Sequence, residues 1–252
     1  MRLTPTVQIS SMDFFDHERP SAAAKTRDYR NVFIIQSALI FVALFLAEIL
    51  RLCRAPMFTV IHDSVYTALG ATYFYLVWDL LKNFLRRKAV IVFLFLYLIT
   101  LFLIMLVLQN PFLQIVKDPS VGFTILHLGL LSVEFLTISL VFKDVFSSHN
   151  ITKNNLWGAV SLFLMIAISF ASIFELLNLI EPLTFGVALS PGFATFSEML
   201  CCSLVAISGG TPTLPAQSQL VRNVIAVESL GGNLYLVILI GRIVGMVAPS
   251  KN

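Results

Sequence analysis

The feature that most constrains this chain is a series of apolar runs, each close to the length that crosses a lipid bilayer. A transmembrane helix needs about 20 predominantly apolar residues. Six stretches of the sequence meet this requirement, and they are residues 32–50, 60–81, 89–108, 122–142, 156–180 and 220–247. The sequence therefore predicts an all-α integral membrane protein with six transmembrane helices.

The composition excludes a soluble domain. Hydrophobic residues make up 58% of the 252 residues, only 12% are charged, and the mean hydropathy is +0.88. A soluble domain of this length normally carries about twice that charge. The sequence contains no zinc-ligand spacing, phosphate-binding loop or nucleophile elbow, so we expect neither an enzyme nor a metal or cofactor site. The expected environment is a lipid bilayer, with no nucleic acid as a partner.

A segment of different character lies between the fifth and sixth apolar runs. Residues 184–219 are rich in proline and glycine, and within them residues 195–206 form an apolar run of about twelve residues. This run is too short to cross a bilayer, which indicates a re-entrant or buried helix. We predict a re-entrant helix between the fifth and sixth spans.

The distribution of lysine and arginine predicts the orientation in the membrane. With the N-terminus inside, thirteen of these 17 residues lie in inside segments and four lie outside. Such a bias is the positive-inside pattern. It predicts cytoplasmic N- and C-termini, with residues 1–30 as a cytoplasmic tail. Residues 184–219 are then expected on the outer side.

The short apolar run is expected to begin with a capping box. Thr195 and Glu198 stand three residues apart at its start, the spacing at which each side chain caps a backbone N–H of the first turn. The C-terminal, partly negative end of a half-helix inserted from outside would point toward the bilayer centre. There, backbone carbonyls of the glycine-rich residues that follow could replace the water shell of a cation.

These residues resemble the pore module of potassium channels. Residues 195–200 read Thr-Phe-Ser-Glu-Met-Leu, where the family has Thr-Phe-x-Asp-x-Leu. Residues 220–228 read Leu-Val-Arg-Asn-Val-Ile-Ala-Val-Glu and are similar to the inner helix of bacterial members. The resemblance implies a pore-like domain over residues 156–252, made of an outer helix, a re-entrant helix, a filter-like loop and an inner helix.

The filter-like loop departs from the family's selectivity filter. Where the family has Thr-Val-Gly-Tyr-Gly-Asp, residues 206–211 read Ala-Ile-Ser-Gly-Gly-Thr. The resemblance makes the ion-pathway candidates Ala206, Ile207, Ser208, Gly209, Gly210 and Thr211. The missing tyrosine and the serine in place of a glycine predict weak selectivity among monovalent cations. A surface turn is the alternative interpretation of this segment.

The preceding part of the chain, residues 31–155, is expected to form a four-helix membrane domain. A voltage-sensing helix needs several arginines or lysines across the membrane. The fourth apolar run, residues 122–142, contains none. We therefore expect no steep voltage gating through this helix.

Three ionisable side chains within the predicted spans are candidate polar sites. His127 and Glu134 stand seven residues apart on one face of the fourth span, either as a structural pair satisfied by another helix or as part of a proton relay or ion site. Glu228 of the last span is expected either to form a hydrogen bond behind the filter or to face a cavity. Glu175 is left without an assigned role.

The resulting functional hypothesis is a cation-channel subunit that assembles as a homotetramer, because one such loop supplies only a quarter of a ring of carbonyls. The plasma membrane or a bacterial inner membrane is the expected location. Two alternatives stay open: a secondary transporter with a broken-helix site, and a non-conducting pore-like membrane scaffold.

Overall fold

A computed structural model of the chain describes residues 22–52, 58–85, 87–108, 118–147, 153–212 and 214–247. Most of the predicted N-terminal tail, residues 1–21, and the last five residues, 248–252, lie outside the described residues.

The described residues form helices and contain no strand. In chain order, the elements are α1 (Ala22–Phe41), a π-helical turn (Val42–Leu46), α2 (Ala47–Leu52), α3 (Phe58–Lys82), α4 (Lys88–Leu108), α5 (Ser120–Ser147), α6 (Lys153–Ile180), α7 (Phe193–Ile207) and α8 (Gln219–Val247). The all-helical prediction is confirmed for this part of the chain.

Five of the helical segments are long and apolar enough to cross a bilayer, which indicates an integral membrane protein. They are Lys25–Leu46, Lys88–Leu108, Ser120–Ser147, Asn155–Ile180 and Gln219–Arg242. Helix α3 has 25 residues but is not among these five. A sixth span therefore stays a prediction.

Several helix boundaries differ from those predicted, among them those of α1 and α7. Helix α1 begins at Ala22, inside the segment predicted as a tail. Its first turns are held by Asp144 of α5, which accepts hydrogen bonds from Lys25 Nζ at 2.7 Å and from the Tyr29 hydroxyl at 2.8 Å. These polar contacts extend the helix beyond its apolar run. Helix α7 begins two residues earlier than the predicted run and ends one residue later.

Helix α6 forms the centre of the bundle. It packs against α1, α5, α7 and α8, and 56% of its membrane-spanning window is buried. Three of its fully buried residues are alanines, Ala159, Ala167 and Ala171. Small residues let neighbouring helices approach closely, which is how membrane helices gain van der Waals contact.

The ends of five helices meet at one end of the bundle. Asn83, just after α3, donates a hydrogen bond to Asp28 of α1 at 2.8 Å. Arg242 of α8 donates to the carbonyl of Val145, near the end of α5, at 2.9 Å. Asn155, at the start of α6, donates to the same carbonyl at 3.1 Å. We call this end the basic end, because most of the described lysines and arginines lie there.

At the opposite end of the bundle, the start of α3 meets the start of α7 and the end of α6. The ring of His62 lies 6.5 Å from that of Phe193, measured between ring centroids. The backbone N–H of Gly192 donates to Glu175 Oε1 at 3.4 Å. Helices α3 and α6 therefore both extend over the whole distance between the two ends, and they run in antiparallel directions.

Candidate functional site

The last turn of α7 lies against the middle of two longer helices. The Ser229 hydroxyl of α8 donates to the carbonyl of Ala206 at 2.8 Å. The Ser203 hydroxyl lies 2.8 Å from the carbonyl of Ala167, about half-way along α6. Helix α7 therefore begins at one end of the bundle and ends near its midplane.

The turn that ends α7 is a Schellman motif. Ser208 is the C-cap, and Gly209 adopts a φ of 82°, in the left-handed region that favours glycine. Gly209 N–H donates to the Ala206 carbonyl at 2.9 Å, and Gly210 N–H donates to the Val205 carbonyl at 2.8 Å. These two bonds define the motif. Gly209 is therefore required by the local backbone conformation, whatever the segment does.

The six predicted ion-pathway residues fall into two groups. Ala206 and Ile207 are fully buried in α7, and the Ala206 carbonyl accepts bonds from both Gly209 and Ser229. The other four residues, 208–211, are exposed. We call residues 208–211, which are exposed in the single chain, the open stretch. The Ala206 carbonyl is not available in the same way, because it already accepts these two hydrogen bonds.

An exposed side chain of α8 lies beside the open stretch. A Cβ added to Gly209 would lie 3.5 Å from Asn233 Oδ1. Asn233 is itself exposed on α8. The open stretch and a polar side chain of α8 thus lie on the same side of the chain.

Glu228 is buried beside this turn. Its side chain is 1% exposed, and its carboxylate accepts a hydrogen bond from the Ser203 hydroxyl of α7. In the structure Glu228 is therefore a buried hydrogen-bond acceptor that joins α8 to α7.

The predicted capping box at Thr195 and Glu198 is wrong. The N-cap position is Gly192, which makes no side-chain capping bond. Thr195 lies within the first turn and is buried, and its hydroxyl donates to the carbonyl of Ser190 at 2.5 Å. Glu198 is exposed on the second turn. The helix begins earlier than the motif predicts, because Phe193 packs against Tyr66 of α3 with 4.4 Å between their ring centroids.

A second candidate site is a cavity of about 80 Å³ inside the bundle. It lies between α1, α3, α4, α5, α6 and α7. Its polar lining residues are Tyr66, Tyr73, His127, Glu134, Ser172 and Glu175. The remaining lining is aromatic and aliphatic and includes Phe193 and Phe196 of α7. The cavity brings together the predicted residues His127 and Glu134 and leaves out Glu228.

The polar groups of the cavity are only partly paired. His127 Nε2 lies 3.2 Å from Glu175 Oε2. The buried lining atoms that form no hydrogen bond with the described part of the chain include His127 Nδ1, Glu134 Oε2 and Ser172 Oγ. Because a buried polar atom without a partner is destabilising, these atoms mark a place where a ligand could be bound.

Glu175, Tyr66 and Tyr73 were not predicted as site residues. Glu175 carried a signal, since an ionisable residue in a membrane helix points to a functional or paired position. Tyr66 and Tyr73 carried only a weak signal in the sequence. They stand seven residues apart, on the same face of α3 as Gly70. That α3 would turn this face toward α5 and α6 depends on tertiary packing, which the sequence does not specify.

No group of three or more His, Cys, Asp and Glu side chains within the described ranges is arranged to hold a metal ion. Comparisons of the chain with protein-family models, with curated proteins and with solved structures found no match. Function therefore has to be inferred from the geometry of this chain alone.

Proposed function

We propose that the chain is a subunit of a tetrameric cation channel of the potassium-channel type, with α7 as a re-entrant pore helix. The observation that carries the proposal is the position of Gly232, which packs against the Ile207 carbonyl at the end of α7. Gly232 lies about 20 Å along α8 from its start at Gln219, at 1.5 Å per residue. A helix that ends at half depth, followed by a chain that returns to the surface, is the arrangement of a pore loop.

The length and anchoring of the returning segment fit this proposal. Residues 208–218 must climb about 20 Å, and an extended residue spans about 3.3 Å, so the segment is long enough. Its far end is anchored beside the loop that follows α6, where Gln217 N–H donates to the Thr184 carbonyl at 3.0 Å. The segment can therefore line a pore over its first residues and still return to the start of α8.

The proposed topology has six spans, with α3 as the second. Helix α3 contacts α1 at the basic end through Asn83 and meets α7 at the opposite end through His62, so its length matches that of the bundle. The basic end is proposed to face the cytoplasm, following the positive-inside rule. Helix α7 then enters from the outer side, and both termini are cytoplasmic.

The exposure of α8 supports assembly into a homotetramer. Only 17% of its membrane-spanning window is buried, although it is the proposed inner helix. A Cβ added at Gly231 or Gly241 would meet nothing within 4 Å. Three further copies of the chain around a common axis would cover this helix and bring four open stretches together.

Weak selectivity among monovalent cations is part of the proposal. In the potassium-channel filter, a tyrosine ring braces the backbone, and this chain has Gly209 at that position. Ser208 stands where the family has glycine. A ring of carbonyls without this brace holds one ion size less well, so potassium and sodium are both expected to pass.

The test is ion flux in liposomes that contain the purified chain. Potassium and sodium fluxes are compared for the native protein and for a variant with Thr-Val-Gly-Tyr-Gly-Asp at residues 206–211. We expect the native protein to pass both ions, the variant to favour potassium, and chemical cross-linking to yield four copies. Strong potassium selectivity in the native protein would contradict the weak-filter proposal. Flux of neither ion through either protein would contradict the channel proposal.

A secondary transporter is the second candidate, and the buried polar cavity favours it. Such proteins bind their substrates near the bilayer midplane beside interrupted helices. Here the cavity holds His127, Glu134 and Glu175 and borders the start of α7. Saturable uptake with accelerated exchange from preloaded liposomes would support this candidate, and flux that rises linearly with concentration would support the channel.

A further inference from the structure

We propose that the cavity among α1, α3, α4, α5, α6 and α7 is a binding site for a small organic ammonium cation. This inference goes beyond the proposed pore, because the cavity lies away from residues 208–211 and from Glu228. It is tested by binding alone, so its failure and the failure of the channel proposal can be told apart.

The charged side chains that line the cavity favour a cationic ligand. Two carboxylates, Glu134 and Glu175, line it, and none of its lining residues is a lysine or arginine. His127 lies opposite Glu175, so Glu134 is left without a cationic partner in the lining. The Glu134 side chain is only 6% exposed, and its Oε2 forms no hydrogen bond within the described residues. A buried carboxyl group that stays ionised is costly unless a positive charge accompanies it.

The walls of the cavity favour an organic cation over a bare metal ion. Five aromatic rings line it, those of Tyr66, Tyr73, Phe74, Phe193 and Phe196. The ring of Tyr66 lies 4.4 Å from that of Phe193 and 6.4 Å from that of Phe196, so the three form an aromatic corner. Aromatic faces attract ammonium groups and also pack against their alkyl substituents. An alkali ion would instead need a shell of oxygen ligands, which a mostly apolar wall does not supply.

The size of the cavity limits the ligand. A cavity of about 80 Å³ holds several water-sized groups, since one such group needs about 10–15 Å³. This corresponds to a cation of about five to eight non-hydrogen atoms. Quaternary ammonium ions of the size of tetramethylammonium or choline meet this limit.

The two ends of the cavity give the ligand an orientation. His127 and Glu134 stand seven residues apart on α5, which places them about 10 Å apart along the helix. Glu175 and His127 pair at one end, and Glu134 lies toward the other. The aromatic corner lies toward the His127 end, since the ring of Phe196 is 6.3 Å from that of His127. We therefore expect the ammonium group between Glu134 and this corner, with its alkyl groups against the rings.

The experiment measures equilibrium binding of radiolabelled choline to the purified full chain in detergent micelles. We expect saturable binding and a rise in the midpoint of thermal unfolding with choline concentration. The uncharged analogue, in which carbon replaces the quaternary nitrogen, should compete at least tenfold less well. Glu134→Gln should weaken choline binding by tenfold or more, and Glu134→Gln combined with Glu175→Gln should abolish it.

Glu181→Gln is the matched control, because it removes the same charge from an exposed position just after α6. It should bind choline like the native chain. Gly70→Ala provides a test that keeps both carboxylates: a Cβ there would meet only the end of Met105, with the nearest atom at 3.6 Å, so the helix is retained while the cavity shrinks. We expect reduced choline affinity for this variant.

Three results would overturn the proposal. They are the absence of saturable choline binding to the native chain, equal competition by the uncharged analogue, and native affinity in the variant that lacks both carboxylates. The first result would mean that the Glu134 carboxylate is neutralised by a proton, so that no cation is needed. The second would mean that the cavity recognises only apolar shape.

Discussion

Gly232 of α8 packs so closely against Ile207 of α7 that a Cβ at position 232 would lie 2.4 Å from the Ile207 carbonyl oxygen. No side chain fits at that distance without movement of the backbone. The neighbouring Gly231 has nothing within 4 Å of the corresponding position. The glycine pair of α8 therefore contains one glycine that packs against α7 and one with no contact at its Cβ position in the single chain.

Replacing Gly232 by alanine is expected to separate α7 from α8. The added methyl group meets backbone and cannot be relieved by a side-chain rotation, so we expect a destabilisation of about 1–3 kcal/mol. Gly231→Ala is the matched control, and in the single chain it should be neutral or slightly stabilising because alanine favours helix. The measurement is the midpoint of thermal unfolding in detergent. Equal midpoints for the two variants would contradict the contact between α7 and α8.

Thr195, and not Glu198, is expected to stabilise the start of α7. The Thr195 hydroxyl is buried and bonds to the Ser190 carbonyl, so Thr195→Ala should cost about 0.5–1.5 kcal/mol. Thr195→Ser keeps the hydroxyl and should recover most of this loss. Glu198 is exposed and has no capping role, so Glu198→Gln should stay within about 0.5 kcal/mol of the native chain. A larger loss for Glu198→Gln than for Thr195→Ala would restore the capping-box interpretation.

The helices could be predicted from the sequence because the length and composition of an apolar run are enough to identify a membrane helix. Helix α4, Lys88–Leu108, matches its predicted run to within one residue. The start of α1 could not be predicted in this way, since it depends on Asp144, more than one hundred residues later in the chain. Contacts of this kind belong to the tertiary structure.

The candidate site was predicted in part. His127 and Glu134 stand out as ionisable residues on one face of an apolar helix, and the structure places both on one cavity. Their partners Tyr66, Tyr73 and Glu175 come from two other helices, so only the packing of α3, α5 and α6 identifies them. The prediction for Thr195 failed. The capping-box motif is present in the sequence, but the helix begins earlier, where Phe193 packs against Tyr66.

Ser203→Ala is expected to destabilise the chain through Glu228. The Ser203 hydroxyl bonds to the buried Glu228 carboxylate, and its removal leaves that group without this donor. A buried polar group that loses its partner costs about 1–3 kcal/mol. Ser139→Ala is the control, since Ser139 bonds only to its own helix at Phe135 and is exposed. Unfolding midpoints that fall equally in both variants would mean that the Ser203–Glu228 bond contributes no more than a local helix contact.

The proposed topology makes opposite predictions for two exposed residues. Arg87 lies between α3 and α4 at the basic end, and Thr211 lies in the open stretch after α7. In cells that express a background with alanine at all native cysteine positions, a membrane-impermeant thiol reagent should label Thr211→Cys and leave Arg87→Cys unlabelled. Permeabilised cells provide the control, because Arg87→Cys should then react and so prove that it is accessible from its own side. The reverse pattern in intact cells would place the basic end outside. It would also make α7 enter from the cytoplasm, which is incompatible with a potassium-channel-type pore loop.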